Sequence, residues 1–460
     1  MDDGAGFIRH RRGALRRTPN PRPSGIRGAR APGPYTQFDV VDSAMAGRPA
    51  FTLKIRPGAA MKVAFKDDSF AFEFVRNLGF AYYGGADIGE MIATVGEITE
   101  GDFESWFVAW EKRAKRILAR ADADIAKGHA VSARESYLRA STYFRMGEFY
   151  LHGNPSDPRI LESARASQQS YAKAASLMGP TWEPVEIPYE GTTLPGYFYK
   201  VDDSGEPRPT IVFHGGYDSS IEELYYFGAA AAVRRGYNCL TFDGPGQGMP
   251  MREQGLPFRY DWEKVVTPAV DFALARKDVD GERLALIGMS LGGYLAARAA
   301  AFEHRFKAAV FFDGVYDFGG SMRNILPAEA TQAYAAGDDA AGDRIVHKAM
   351  DQVTNVRWAI TQGLWSFKTS SIADFLEQTR KMSMEGIASQ ITCPCLVLEA
   401  DGDLFFKGQP RQMYDALRCP KDFFAFTADD GAENHCQSGA LGFKDEVVFN
   451  WIDSVLKPTA

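Results

Sequence analysis

A chain of 460 residues, 45% hydrophobic and 24% charged, can build a large buried core with further helical additions. Its net charge of -7 offers nothing to a polyanion, which argues against nucleic acid or an anionic membrane as partner. No apolar run approaches the roughly 20 residues that cross a bilayer. Five cysteines, an odd number, suit a reducing cytoplasmic setting better than a disulfide framework. Cys393-Pro-Cys395 lacks the second ligand pair that a zinc site needs, so no metal is expected.

Residues 1–60 carry eight arginines before residue 35 among many Gly and Pro, with no apolar stretch of the kind a secretory signal needs. They read as a disordered basic tail and lead-in. Residues 61–179 are helical in pattern. Asp102 to Ala126, with Trp106, Trp110, Ile117 and Leu118 at three-and-four spacing, and Ser132 to Leu151 each show one apolar face. A helical N-terminal domain is expected there.

The pattern changes near Pro180. Val185 to Pro188 and Leu194 to Lys200 flank Glu190-Gly191-Thr192-Thr193, a hairpin signal. Short apolar runs follow at Thr210–Phe213, Asn238–Phe242, Leu284–Ile287, Ala308–Phe312, Cys395–Leu398 and Phe423–Phe426, separated mostly by helix-length stretches. Buried parallel strands look like this, because helices cover both faces of the sheet. The expected fold is therefore a doubly wound, mostly parallel α/β sheet over residues 180–460. The long helical connection at about 318–390 is read as a cap inserted at the carboxyl edge of that sheet.

Leu284-Ala285-Leu286-Ile287 runs directly into Gly288-Met289-Ser290-Leu291-Gly292-Gly293, and a helical stretch follows. A strand, a sharp glycine-flanked turn and a helix form the context of a nucleophile elbow, with Ser290 as nucleophile. The helix N-terminus and the Leu291 N–H favour a developing oxyanion. Order along the chain then selects the partners, acid before histidine. His435 lies after the last strand in Gly431-Ala432-Glu433-Asn434-His435 and is the expected base. His347 falls inside the cap, His304 reads as a solvated helix end, and His214 as a structural residue bracing its loop. Asp403 is the expected acid, with Asp401 of the same turn as alternative; Phe405-Phe406 would screen Asp403 from water. A second oxyanion donor is expected in His214-Gly215-Gly216-Tyr217-Asp218, at Gly216 or alternatively Tyr217. Asp243-Gly244-Pro245-Gly246-Gln247-Gly248 lacks nucleotide-loop spacing and reads as a tight turn beside the site. Tyr82, Tyr83, Trp358 and Trp365, with Tyr217, are candidates for lining a pocket for a flat apolar substrate.

Phe213 to Asp218, Leu240 to Gly248, the elbow and Gly431 to Cys436 together resemble one branch of the α/β-hydrolases. Tyr83 to Glu90 and the segment from Arg357 to Trp365 resemble the same branch. It contains the 2,6-dihydroxypseudooxynicotine hydrolase of nicotine breakdown and fungal polyketide-shortening hydrolases. The resemblance implies a Ser-His-Asp enzyme without cofactor that cleaves a carbon–carbon bond beside a ketone in an aromatic or polyketide-like small molecule. Its relatives make a homodimer possible. The nicotine enzyme uses an additional acidic residue after the strand that follows the elbow, where this chain reads Asp313-Gly314-Val315-Tyr316-Asp317, without a glutamate. A carboxylesterase or lactonase would use the same core residues. A peptidase and a binding protein with an idle triad are further alternatives; the helical N-terminal part shows no propeller pattern of the acyl-aminoacyl peptidases.

Overall fold

Apolar stripes between residues 68 and 176 become five helices: α1 (Asp68–Gly79), α2 (Ile88–Val95), α3 (Phe103–Ala126), α4 (Ala130–Glu148) and α5 (Pro158–Ser176). Asp67, Asp87, Asp102 and Asp157 start four of them by accepting a first-turn N–H on the side chain. Trp106, Trp110, Ile117 and Ala121 of α3 share one fully buried stripe. Trp106 also gives its indole N–H to the Met146 carbonyl at 2.6 Å, so no polar group is stranded there. This computed structural model describes residues 62–456, and the basic tail expected over residues 1–60 lies outside them.

Eight strands follow: β1 (Trp182–Tyr189), β2 (Thr192–Tyr199), β3 (Arg208–His214), β4 (Asn238–Phe242), β5 (Val279–Gly288), β6 (Ala308–Phe311), β7 (Cys395–Ala400) and β8 (Lys421–Phe426). Their spatial order is β1-β2-β4-β3-β5-β6-β7-β8. The hairpin β1–β2 turns at Glu190-Gly191, both at positive φ (39° and 83°), as a two-residue turn of matching twist requires. β2 pairs antiparallel with β4, and every pair from β4–β3 to β7–β8 is parallel. β4 and β6 are buried along their whole length, as both-faced coverage demands. β5 starts five residues before its apolar run, at Val279, because its polar lead-in is half exposed and carries no burial pattern.

Helices cover the sheet between strands. After β3 come α6 (Ile221–Leu224), a π-helical turn at Tyr225–Ala229 and α7 (Ala230–Arg234); after β4 come α8 (Gly248–Arg252) and α9 (Glu263–Leu274); after β5 comes α10 (Gly292–Ala300). Between β6 and β7 lie α11 (Phe318–Asn324), α12 (Ala328–Ala335), α13 (Asp339–Gln352), α14 (Thr354–Ser366) and α15 (Ile372–Arg380). This helical segment leaves and rejoins the core at one point, the bridge between Asp317 and Ser383. There the Gln409 amide oxygen accepts the Tyr316 and Asp317 N–H groups at 3.0 and 2.7 Å. α16 (Gln409–Ala416) and α17 (Leu441–Leu456) complete the chain. All described residues fall in one compact unit. The order in which successive strands are laid down reverses between β3 and β5, the point where open α/β sheets place their ligands.

Candidate active site

β5 ends at Gly288 and the chain turns at once. Ser290 sits at φ 63°, a left-handed conformation that costs a non-glycine residue about 1 kcal/mol or more. The turn is possible because Gly288 has no side chain: a Cβ there would come 2.0 Å from the Gly292 carbonyl oxygen. The strained turn lifts Ser290 Oγ to 2.9 Å from His435 Nε2. His435 comes from the loop after β8. Its Nδ1 lies 2.9 Å from Asp403 Oδ2, on the loop after β7. The other Asp403 oxygen accepts the N–H groups of Phe405 (2.7 Å) and Phe406 (3.1 Å), so the carboxylate is held at both ends. Asp401 is exposed and points no group at the histidine. The Phe405 and Phe406 rings stand 5.0 and 5.4 Å from the imidazole. His214 is buried, its Nδ1 3.1 Å from the Gly215 oxygen, and burial lowers its pKa to about 4. His304 and His347 are exposed.

A fourth group joins them, at the place where the resemblance pointed to an additional acid and the sequence holds no glutamate. Asp313, fully buried directly after β6 at φ 60°, places Oδ2 3.0 Å from His435 Nδ1. The same oxygen accepts the Cys436 N–H and its thiol, each at 2.9 Å. His435 thus faces two carboxylates from neighbouring strands. Burial opposes charge on the imidazole, but the Asp403 and Asp313 carboxylates outweigh it and raise its pKa well above the ordinary value. Burial also pushes the Cys436 thiol far up, keeping it protonated. Donor atoms of Asp313, His435 and Cys436 lie within 4.8 Å of one another, a spacing that could suit a metal ion. Both imidazole nitrogens already face hydrogen-bond partners and the thiol holds its proton, so the donor set fits proton transfer better than ligation. The available signal for Asp313 was its place: an aspartate directly after a buried strand, on the edge where the other groups emerge.

The oxyanion loop follows β3. A Cβ on Gly216 would lie 2.7 Å from Leu291 N and Ser290 Cβ, so only glycine permits this approach. The Gly216 N–H, however, donates to Ser219 Oγ at 2.8 Å and is not available to a substrate oxygen. The expectation of Gly216 as donor is therefore corrected: its role is steric. Among the hydrogen bonds of the described residues, none engages the Tyr217 or Leu291 N–H. Gln247 sets the direction of the first of these. Its Nε2 donates to the Gly215 and Gly216 carbonyls at 2.8 and 3.0 Å, while its Oε1 accepts the Gly244 N–H at 2.9 Å. The Gly216 C=O and the Tyr217 N–H belong to one planar peptide, so holding one aims the other. Asp218 is held from the far side by Arg76 of α1 at 2.9 Å, and Arg76 also reaches Glu223 at 2.7 Å and Glu73 at 2.9 Å. Burial disfavours every charge in this cluster. The ion pairs keep Asp218 below its usual range, whereas Glu73 is raised.

A small cavity of about 30 Å³ lies over Ser290 and His435. Its walls are largely apolar, with Phe72, Phe318, Met322, Phe405, Tyr217 and Trp358 among them, and Arg76 and Asp218 supply charge at one border. Of the expected pocket residues, Tyr217 and Trp358 are in place. Tyr82, Tyr83 and Trp365 are not, which corrects those three expectations. Tyr82 is 59% exposed on the outer surface. Tyr83 gives its phenol to Asp445 at 2.6 Å. Trp365 turns away to stack on His152 with ring centroids 4.1 Å apart. Helical spacing showed that these rings needed cover but not which cover.

The alpha/beta hydrolase family profile matches residues 211–436 of this chain. A curated relative, hydrolase LUC6 of Fusarium sp, is 37% identical over 410 residues, covering 85% of this chain and 98% of its own. The chain is an α/β-hydrolase. The 20-hydroxy-prefusarin hydrolase FUS2 of Gibberella moniliformis is 36% identical to this hydrolase, over 86% of this chain and 98% of its own. Among solved structures, 2,6-dihydroxy-pseudo-oxynicotine hydrolase superposes with a TM-score of 0.66 at 22% identity, over 83% of this chain and 96% of that one. That likeness carries the fold, including the helices before the sheet. Among the described residues of the hydrolase, no helix is long and apolar enough to cross a membrane.

Proposed function

We propose that this hydrolase uses Ser290, His435 and Asp403 to cleave a carbon–carbon bond beside a ketone in an aromatic or polyketide-like small molecule. The carrying observation is the 2.9 Å contact between Ser290 Oγ and His435 Nε2, with carboxylates on the other imidazole nitrogen and an apolar cavity above. Ser290 Oγ adds to the ketone carbon and its proton passes to His435 Nε2. The Tyr217 and Leu291 N–H groups receive the negative oxygen. When the tetrahedral adduct collapses, the carbon–carbon bond breaks, its electron pair stays on the leaving carbon, and His435 returns the proton there. Water, deprotonated by His435, then releases the acyl group from Ser290 as a carboxylic acid. The sum is one ketone and one water giving one acid and one C–H product.

Two supports favour this over a plain esterase. A carbon leaving group departs slowly, so the imidazolium formed with the adduct must persist until it can protonate the leaving carbon, and Asp313 beside Asp403 stabilises that cation. The relatives named for 20-hydroxy-prefusarin and 2,6-dihydroxy-pseudo-oxynicotine act on small molecules by name. Five free cysteines fit a cytoplasmic location. The test is turnover of aryl 1,3-diketones against p-nitrophenyl esters, by wild type and Ser290→Ala. Diketone cleavage lost by about 10⁴-fold or more in the variant is expected. Efficient ester turnover with untouched diketones would replace the reading with a carboxylesterase.

A further inference from the structure

We propose that His152, outside the catalytic machinery, is a positioning residue: a doubly protonated imidazolium that, through Gln362, holds the oxyanion loop to the cap and to the helices before the sheet. The inference rests on the reading of Tyr217 N–H as an oxyanion donor.

The argument starts at Tyr217. Its carbonyl can only accept, and Gln362 of α14 lies 2.8 Å away, so the Gln362 NH₂ must point there. That fixes the amide's orientation and leaves Oε1 facing His152 Nδ1, at 2.5 Å. An amide oxygen also only accepts, so Nδ1 must carry a hydrogen. The other ring nitrogen, Nε2, lies 2.7 Å from Glu148 Oε2. Burial works against charge on Glu148, yet Arg252 of α8 and His152 together hold its pKa down at about 2. A carboxylate accepts, so Nε2 must carry a hydrogen as well. Two donating nitrogens make a cation.

Its surroundings suit one. Glu148 on α4 supplies the counter-charge, and the ring lies flat on Trp365 of α14, centroids 4.1 Å apart, with the indole face toward it. The other ionisable group facing the ring is Arg252, whose Nη2 bonds Glu148 and lies 3.4 Å from His152 Nε2, and whose guanidinium also overlies Trp365. Arg145 and Glu222 line the small cavity next to Glu148 and Arg252. His152 itself is buried.

The other end of the clamp is the oxyanion loop. α14 grips Tyr217 twice, Gln362 at its carbonyl and the Ala359 carbonyl at its phenol, 2.7 Å away. A ring without a hydrogen on Nδ1 would present a lone pair to the lone pairs of Gln362 Oε1, the amide would turn, and the Tyr217 carbonyl would be released.

Two variants and one labelled wild type test this, using whichever diketone or ester the enzyme turns over. Gln362→Glu can accept from His152 but repels the Tyr217 carbonyl; kcat should fall about 10- to 100-fold with KM changed less than about threefold. In Glu148→Gln the new amide donates to Nε2, a neutral ring keeps Nδ1–H for Gln362, and kcat should stay within about threefold of wild type. In wild type labelled with ¹⁵N-histidine, the His152 imidazole should show both nitrogens protonated in the active enzyme. This last readout holds even if a variant fails to fold. A His152 imidazole with one unprotonated nitrogen overturns the clamp, as does undiminished kcat in Gln362→Glu. If Ser290→Ala retains activity, the serine-hydrolase reading fails first, and that result is separate from these.

Discussion

Asp313→Asn removes one of two carboxylates from His435 and keeps the shape. The carboxylate oxygen lies 3.0 Å from Nδ1. At that distance a pair of unit charges interacts by about 1.4 kcal/mol in water and about 5 kcal/mol at an effective dielectric near 20. One pKa unit is worth about 1.4 kcal/mol, so the imidazole pKa should fall by about 1 to 4 units. The direction matters for activity. His435 must be neutral to take the Ser290 proton, and its pKa now stands well above the ordinary value. The acid limb of kcat/KM in the wild type should therefore lie above the usual histidine range, and in Asp313→Asn it should move toward lower pH. Single-turnover cleavage of the best substrate across the acid and neutral range measures it. Asp403 stays in place to hold the ring, so the variant should be weakened at alkaline pH rather than dead. An acid limb that does not move would refute the coupling of Asp313 to the base.

Gln247→Glu should misaim the Gly216–Tyr217 peptide, because a carboxylate repels the two carbonyls that the amide now binds. A loss of kcat of about 100-fold is expected, in line with losing one oxyanion donor, with a normal far-ultraviolet spectrum. Trp358→Ala opens the cavity wall and should raise KM about tenfold or more, whereas Tyr82→Ala, on the outer surface, should leave KM within about twofold. Steady-state kinetics on the same substrate checks both.

The elbow was legible because a turn this tight forces glycine at Gly288, and such a constraint acts between neighbours in the chain. His435 and Asp403 were legible because the loops after β8 and β7 open on the same edge as β5, which topology alone requires. Asp313 was only half legible: the resemblance pointed to an additional acid in its stretch, but nothing local distinguishes an aspartate that turns toward an imidazole from one that caps a helix, as Asp317 does four residues later. The choice between Gly216 and Tyr217 hung on one side chain, Ser219, that takes the glycine's N–H. Tyr83 and Trp365 have the burial that their spacing suggests, but their partners, Asp445 and His152, are hundreds of residues away in sequence. Packing across such distances leaves no trace in periodicity.

The oxyanion loop is braced from four directions: by Ser219 within itself, by Gln247 after β4, by Arg76 on α1 and by Gln362 on α14. Two of these braces lie outside the sheet and its covering helices. The helices before residue 180 and the cap are thus not interchangeable covers on a self-sufficient engine. A chimera that grafts a relative's helical part onto this sheet would inherit a mismatched brace and lose turnover before it gained a new substrate. A change of substrate that keeps the loop in place must alter the cavity wall while leaving the two outer braces, Arg76 and Gln362, untouched.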